Sequence, residues 1–381
     1  MIEIFIAIRH LVKRRFQTII SVIAISLALI IFITSLAVSD GLTKNTLNSI
    51  LSLNPHLTVK FFKQNEGDYE KLLNDLDSDI IIDKKATIDI KGFIKYNGID
   101  IIPIIKATNL ENKKLEIVEG KLDNSKNYII MGEKLRSSIG ANIGDKISVL
   151  DIKGKEIRLK LGATFKTGFL PYDSNLVIIP LKVGMILNEE GNTVSSLDIS
   201  VKNPSDVKVL NELKMDIFNK YENTYSYTWA EENANLLQAI KLEKFILIVI
   251  LSFLVLIASF VVAIILNISV REKTNDIGIL KAFGYTKKSI LKIFVFEGLV
   301  VGILGIIVSI ILSPIVIALL RIIAKNILES TYYIKGLPIE INIHEIIIIY
   351  VVSLVIIFVA SIMPAIKAAK LDTAQAIRFN L

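Results

Sequence analysis

Charge enters the apolar parts of this chain at few places, and any chemistry in them must be sought there. Residues 270–305 read VREKTNDIGILKAFGYTKKSILKIFVFEGLVVGILG. Charged residues follow directly on one apolar run, the chain turns at Gly284-Tyr285, and a second apolar run begins. Inside that second run stands Glu297, with no further charge until Arg321. A carboxylate within a membrane run is a functional candidate by default. Glu297 lies only one helical turn inside the end of the run, so the expectation is that it snorkels to the interface.

The familiar catalytic patterns are missing. The chain has no Walker A loop, no H-E-x-x-H and no G-x-S-x-G. His10, His56 and His344 fall in distant parts of the expected topology, so each is read as a local hydrogen-bonding residue and not as part of a metal site. Asp75, Asp77, Asp79 and Asp83 lack the glycine and distal glutamate of an EF-hand, which makes them a solvated face. Glu231-Glu232, beside the lone Trp229, suit the positive end of a helix dipole. The chain has no cysteine, which excludes disulfides, thiolate catalysis and a lipid-modified N-terminal cysteine. No cofactor, metal or catalytic residue is expected. The net charge of +7 comes without a basic groove interleaved with aromatics, which argues against a nucleic-acid partner.

The elements that position these residues follow from hydropathy. Of the 381 residues 52% are hydrophobic, and the mean hydropathy is +0.57, which puts the chain in the membrane class. Four charge-free stretches, 17–39, 245–268, 298–320 and 346–366, are each near the ~20 residues that cross a bilayer as a helix. The first is too long for a signal-peptide core and has no small-x-small site after it, so it is read as a retained span. Arg9, Lys13, Arg14 and Arg15 precede it, and Arg271, Lys273, Lys281, Lys287, Lys288 and Lys292 follow the second. The positive-inside rule then places both termini in the cytoplasm.

The expected layout is an α+β membrane protein with four transmembrane helices and a large mixed α+β periplasmic domain between helices 1 and 2. Its divisions are a cytoplasmic arm (1–16), span one (17–39), the periplasmic domain (40–244) and span two (245–268). A cytoplasmic segment (269–293), span three (294–320), a periplasmic loop (321–345), span four (346–366) and a cytoplasmic tail (367–381) complete it. Within the domain, helices are expected at 41–53, 69–76, 206–219 and 230–244. Strands are expected at 56–62, 87–96, 99–107, 127–131, 146–150, 157–167, 175–180, 196–201 and 221–228. Gly298, Gly302 and Gly305 have the spacing that lets two membrane helices approach closely, within or between subunits. In residues 274–283 a helix would put Ile277, Leu280 and Lys281 on one side and Ile279 and Phe283 on another, with Gly284 ending it. Periodicity leaves two readings of this helix open, a solvated membrane-surface loop and a docking helix for a cytoplasmic partner.

Residues 271–305 resemble the cytoplasmic region of FtsX/MacB-type ABC transporter permeases, and MPAIKAAKLDTAQAIRF near the C-terminus resembles that family's closing motif. The N-terminal stretch around Gly41, Pro55, His56 and Leu57 is similar to the lipoprotein-releasing permeases LolC and LolE, as is FKTGFLPYDSNLVIIPL with Gly168, Tyr172, Asp173 and Pro180. The resemblance implies a non-catalytic type VII permease of the bacterial inner membrane. Two such subunits, as a homo- or heterodimer, would pair with two copies of a cytoplasmic ABC ATPase. The ATPase would contact Arg271, Glu272, Asp276, Ile277, Leu280, Lys281 and Gly284, so reversing charge at Glu272 and Asp276 together should uncouple it. The implied client is an acylated lipoprotein, passed to a periplasmic carrier. Here only residues 151–156 stand where LolC has a protruding hook, which leans towards LolE or a branch with another client. The rival readings are a MacB-like exporter of peptides or toxins, an FtsX-like regulator of a periplasmic hydrolase, and a plain membrane-anchored binding domain.

Overall fold

The computed structural model describes residues 2–62, 68–76, 78–109, 115–121, 127–188, 193–331 and 336–371. Asp77 and the closing motif from residue 372 onward, with Arg378, lie outside them. The chain divides into a helical unit, residues 1–43 and 239–381, and an α/β unit, residues 44–238. In chain order the elements are α1 (Ile2–Lys13), α2 (Arg15–Leu53), β1 (Leu57–Phe61), α3 (Asp68–Asp75), β2 (Ile81–Ile90) and β3 (Gly92–Tyr96). Next come β4 (Ile99–Ile101), β5 (Ile104–Thr108), β6 (Glu116–Gly120), β7 (Tyr128–Gly132), α4 (Glu133–Ile139) and β8 (Lys146–Asp151). They are followed by β9 (Glu156–Lys166), α5 (Leu170–Asn175), β10 (Leu176–Ile179), α6 (Leu181–Leu187), β11 (Ser196–Val201) and α7 (Val207–Lys220). The last are β12 (Thr224–Thr228), α8 (Trp229–Glu232), α9 (Ala234–Glu272), α10 (Thr274–Ala282), α11 (Lys287–Thr331) and α12 (Ile343–Lys370).

In the helical unit α2, α9, α11 and α12 are long and apolar enough to cross a membrane. Their contact faces are apolar. Ile25, Leu29 and Phe32 of α2 pack with Val255 and Val262 of α9, Val301 of α11 and Ile357 of α12. Hydroxyls inside the bundle bond back to their own helix, as Thr34 to the Ile30 carbonyl (2.6 Å), Ser259 to Val255 (2.7 Å) and Ser361 to Ile357 (2.7 Å). Polar atoms are thereby satisfied without water, and the helices can close up. Two helices run past their expected ends. The expected arm is itself helix α1, and α11 is continuous from Lys287 through Thr331, into the segment expected as an outer loop.

The α/β unit is built on one sheet with strand order β12-β1-β11-β2-β5-β10-β7-β9-β8-β3-β4, and β6 pairs with β9. Registers such as Leu57↔Ile199, Leu197↔Ala86, Ile88↔Ala107 and Val177↔Ile105 stack apolar residues on one face. That face is covered by Leu72 of α3, Val183 and Leu187 of α6, and Leu210, Leu213 and Ile217 of α7. The opposite face of β1, β11 and β2 carries Thr58, Asp198 and Lys85 in register, as period-two alternation requires. Two expected strands are divided. The 87–96 run breaks before Gly92, so β2 pairs with β11 and β5 while β3 pairs with β8 and β4. The backbone of Leu150 lies where a Gly92 side chain would be, so only glycine allows the crossing. The 99–107 run breaks at Pro103, which cannot donate to a ladder. Helices α4, α5 and α6 and strand β6 had no reading in the sequence; each is seven residues or shorter.

His56 ties this unit together. Its Nδ1 accepts from the Val201 amide (2.8 Å), and its carbonyl accepts from the Trp229 amide (3.1 Å). Burial of the ring is the largest influence on its pKa and pushes it below the ordinary 6.5. The unfolded chain therefore binds the proton more readily than the folded one. The stability held above pH 6.5 should fall as pH drops below that value towards the lowered one. Fluorescence of the single Trp229 during heating should show the melting temperature dropping between about pH 7.5 and 5.5. His56→Gln should flatten that slope. An equal slope in both proteins would remove His56 from the account.

Candidate functional site: the charged turn and the membrane groove

Helix α9 ends at Glu272, and Lys273 forms a one-residue break before α10. The Thr274 hydroxyl donates to the Arg271 carbonyl (2.7 Å), and Lys273 pairs with Asp276 in the first turn of α10. At the other end Gly284 has a φ of 89°, and the Tyr285 amide donates to the Leu280 carbonyl (3.1 Å). A left-handed residue after the last helical one closes the helix with its final carbonyls satisfied. Thr286 then caps α11, accepting from the Ser289 amide (3.2 Å).

The two faces of α10 do different things. Ile277 and Gly278 are buried, and Ile277 lies in one cluster with Ala7 of α1, Val270 of α9, Ile290 and Phe294 of α11, and Ala365 and Ala368 of α12. Leu280 packs on the same cluster. Lys281 Nζ donates to the carbonyls of Ala369 (2.8 Å) and Leu371, binding the end of α12. Outward stand Ile279 and Phe283, the latter 82% exposed, and Arg271, Lys287 and Lys288, close by in the chain, are exposed as well. Glu272 is exposed but pairs with Arg14, and Gln17 Nε2 donates to it (3.5 Å). Of the residues expected to meet a partner, Ile277, Leu280 and Lys281 thus hold α10 to its own unit. Glu272 and Asp276 already have internal partners, so reversing both would disturb the turn itself. The sequence placed Ile279 and Phe283 on the other side of the helix, and their exposure makes that side the free one.

Glu297 does not snorkel. It is 1% exposed, its Oε1 lies 2.7 Å from His10 Nδ1, and Ser269 Oγ lies 3.5 Å from its Oε2. The reason is α1, which folds against α11 and covers the carboxylate with an imidazole in place of water. His10 is correspondingly no locally bonded residue, since its partner lies 287 positions away.

The three glycines face other helices of the same unit. A Cβ on Gly298 would overlap the Ser361 hydroxyl of α12. At Gly302 it would stand 3.2 Å from Ile357 of α12, and at Gly305 2.6 Å from Ile25 of α2. Further along the bundle lies a groove of about 550 Å³, lined by α9 through Leu242, Glu243, Ile246, Leu247 and Ile250 and bordered by Ser35 of α2. Its wall is almost wholly apolar and open to the outside of the unit. Among the described residues no group of three or more His, Asp or Glu could hold a metal.

Residues 248–373, from within α9 to two residues past the last described one, match the FtsX-like permease C-terminal family. Along its whole length the chain is similar to the lipoprotein-releasing system transmembrane protein LolC of Neisseria meningitidis serogroup B. That relative is 24% identical over 413 aligned positions, which cover 100% of this chain and 99% of LolC. LolE of Haemophilus influenzae is 23% identical over 65% of this chain and 63% of its own. Similarity therefore runs further with LolC than with LolE, against the lean that the short 151–156 turn implied. The periplasmic region of MacB from Actinobacillus actinomycetemcomitans aligns with a TM-score of 0.36 at 11% identity, over 51% of this chain and 97% of that one.

The glycine contacts set an order of tolerance. Gly298→Ala should destabilise the bundle by about 1–3 kcal/mol, because Ser361 must give way, and Gly305→Ala somewhat less. Gly302→Ala should cost least, since Ile357 need move only slightly. Thermal inactivation of the detergent-solubilised variants would read this order, and equal losses would show that the glycines are not at close contacts.

Proposed function

We propose that this FtsX-like permease is the membrane subunit of an ABC complex that releases acylated proteins from the bacterial inner membrane, as its LolC and LolE relatives are named for. The observation that carries the reading is the groove along α9, bordered by α2. It is apolar, about 550 Å³ in volume and open sideways, which suits acyl chains arriving from the surrounding lipid. A chain passing from lipid into an apolar groove exchanges one hydrocarbon surrounding for another, so entry costs little. Extraction is the costly step, at about 0.8 kcal/mol per CH₂ brought into water. Nothing in this chain supplies that energy, and a separate ATPase is assigned to it.

The basic residues of α1 and of 271–292 support taking their end as cytoplasmic, and with it an α/β unit in the periplasm and both termini in the cytoplasm. The ATPase is assigned to the outward face of α10, with Phe283 and Ile279 as apolar anchors and Arg271, Lys287 and Lys288 as the charged rim. A second permease, identical or homologous, completes the membrane part. The β8–β9 turn is closed on itself, with Asp151 Oδ1 accepting from the amides of Lys153 (2.9 Å) and Lys155 (2.8 Å). It offers no arm, so capture of a periplasmic carrier is assigned to the other permease. An exporter of soluble peptides or a hydrolase regulator would leave the apolar groove without use.

Two substitutions separate the two halves of this reading. Phe283→Ala should weaken co-purification of the ATPase by roughly thirtyfold, the worth of an interface hot spot of about 2 kcal/mol. Ile250→Trp, which fills the groove, should leave ATPase binding and hydrolysis intact. It should lower release of an acylated protein from proteoliposomes by about tenfold, the equivalent of ~1.4 kcal/mol. If the wild-type chain with its ATPase releases no acylated protein, the proposal is wrong.

A further inference from the structure

Glu297 is the one acidic residue buried in the helical unit among the described residues, and it is bonded to two other helices there. Burying such a polar pair in place of a well-packed apolar side chain gains no stability, because the cost of desolvation offsets the attraction. What such a pair does well is fix one register and one orientation. Its location says which ones. Ser269 is near the end of α9 and Glu297 near the start of α11, so the pair sits at both flanks of the α10 turn. His10 is on α1, which leads directly into α2. A second link runs beside it, from Arg14 and Gln17 to Glu272 at the end of α9.

A cavity of about 20 Å³ lies beside the contact, walled by His10, Ser21, Ser269 and Glu297 and by the apolar Val262, Leu266 and Val301. It leaves the pair some room to shift. Arg14 and Gln17 are held by Glu272 and the Ser21 hydroxyl by the Gln17 carbonyl, so His10 is the partner that fixes the carboxylate.

We propose that His10 and Glu297 form a joint that carries displacement of the α10 turn to the first span, and so to the groove beside α9. The inference rests on the reading that an ATPase drives α10. His10 and Glu297 are positioning residues: neither touches nucleotide nor client. With the imidazole on the carboxylate, α1 moves with the start of α11, and this motion adds to what α2 receives directly from α9 through Gln17 and Glu272.

The test uses the permease assembled with its ATPase in proteoliposomes, with ATP hydrolysis and release of an acylated protein measured in the same sample. His10→Ala and Glu297→Ala should keep hydrolysis within about twofold and lower release per ATP by about tenfold. The exchange variant, His10→Glu with Glu297→His, should recover release per ATP to within about threefold of wild type. Glu297→Gln, which can still accept from the imidazole, should fall between wild type and Glu297→Ala. If hydrolysis and release fall together in proportion to the folded complex, and the exchange variant recovers neither, the pair is only structural. Unchanged release in every variant also overturns the joint, while release by wild type keeps the transport reading. A wild-type complex that releases nothing overturns that reading, and the joint with it.

Discussion

Hydrocarbon cannot solvate a polar group, and the helical unit is arranged around that constraint. Thr34, Ser259 and Ser361 turn their hydroxyls back onto their own helices, which leaves the faces between helices free of unmet donors. Glycines then let those faces meet, with Ser361 of α12 filling the space that Gly298 leaves on α11. Glu297, the one buried acid among the described residues of this unit, is not satisfied by its own helix, so it draws in a third element. Helix α1 would otherwise be a surface helix with Ile2, Phe5 and Val12 exposed. The carboxylate gives it a fixed place. The same demand that closes the bundle therefore decides which helix is attached to which.

The α/β unit meets a different condition, because one side of its sheet carries buried polar side chains that bond to one another. Alternation puts Leu57, Val59, Leu197, Ile199 and Ile88 on the covered face. It puts Thr58, Thr87 and Asp198 on the other, where Thr87 Oγ1 donates to Asp198 (2.8 Å). A one-residue slip in any of these strands would exchange the two faces, so the register is held from both sides. His56 joins β11 to the start of α8 through its ring and its carbonyl.

Much of this was legible in the sequence, for definite reasons. The four spans follow from length and lack of charge, and the end of α10 from Gly284, whose left-handed φ suits glycine. Strands β8 and β9 and the turn between them follow from alternation broken by Lys153-Gly154-Lys155. Other features have no local signature. The break between β2 and β3 depends on Leu150 crossing close to Gly92, and no neighbour of Gly92 in the chain announces that. The 287 positions between His10 and Glu297 put their pairing beyond any periodicity. Snorkelling was the natural reading of an acid one turn from the end of an apolar run, and it failed because a second helix arrived before water did. The two sides of α10 were visible as a pattern, but only packing could say which side was inside.

That division of α10 bears on how force could pass through so short an element. A helix of nine residues has little stability of its own. If one face both gripped a partner and held the permease, any pull would peel it away. Here the anchor is on one side and the proposed grip on the other. Ile277 and Leu280 are set in the cluster that joins α1, α9, α11 and α12, and Lys281 holds the final carbonyls of α12. Phe283 and Ile279 face out. A push on the outer face is then shared at once by the elements that converge behind it. Packed interiors do not deform continuously, so the displacement must move those elements as bodies. Of them α1 is the shortest beside α10, held to the bundle by Ala7 and Ile6 in the shared cluster, by Leu11 and by His10 on Glu297. It is also the one joined end to end with the border of the groove, since α2 begins where α1 stops.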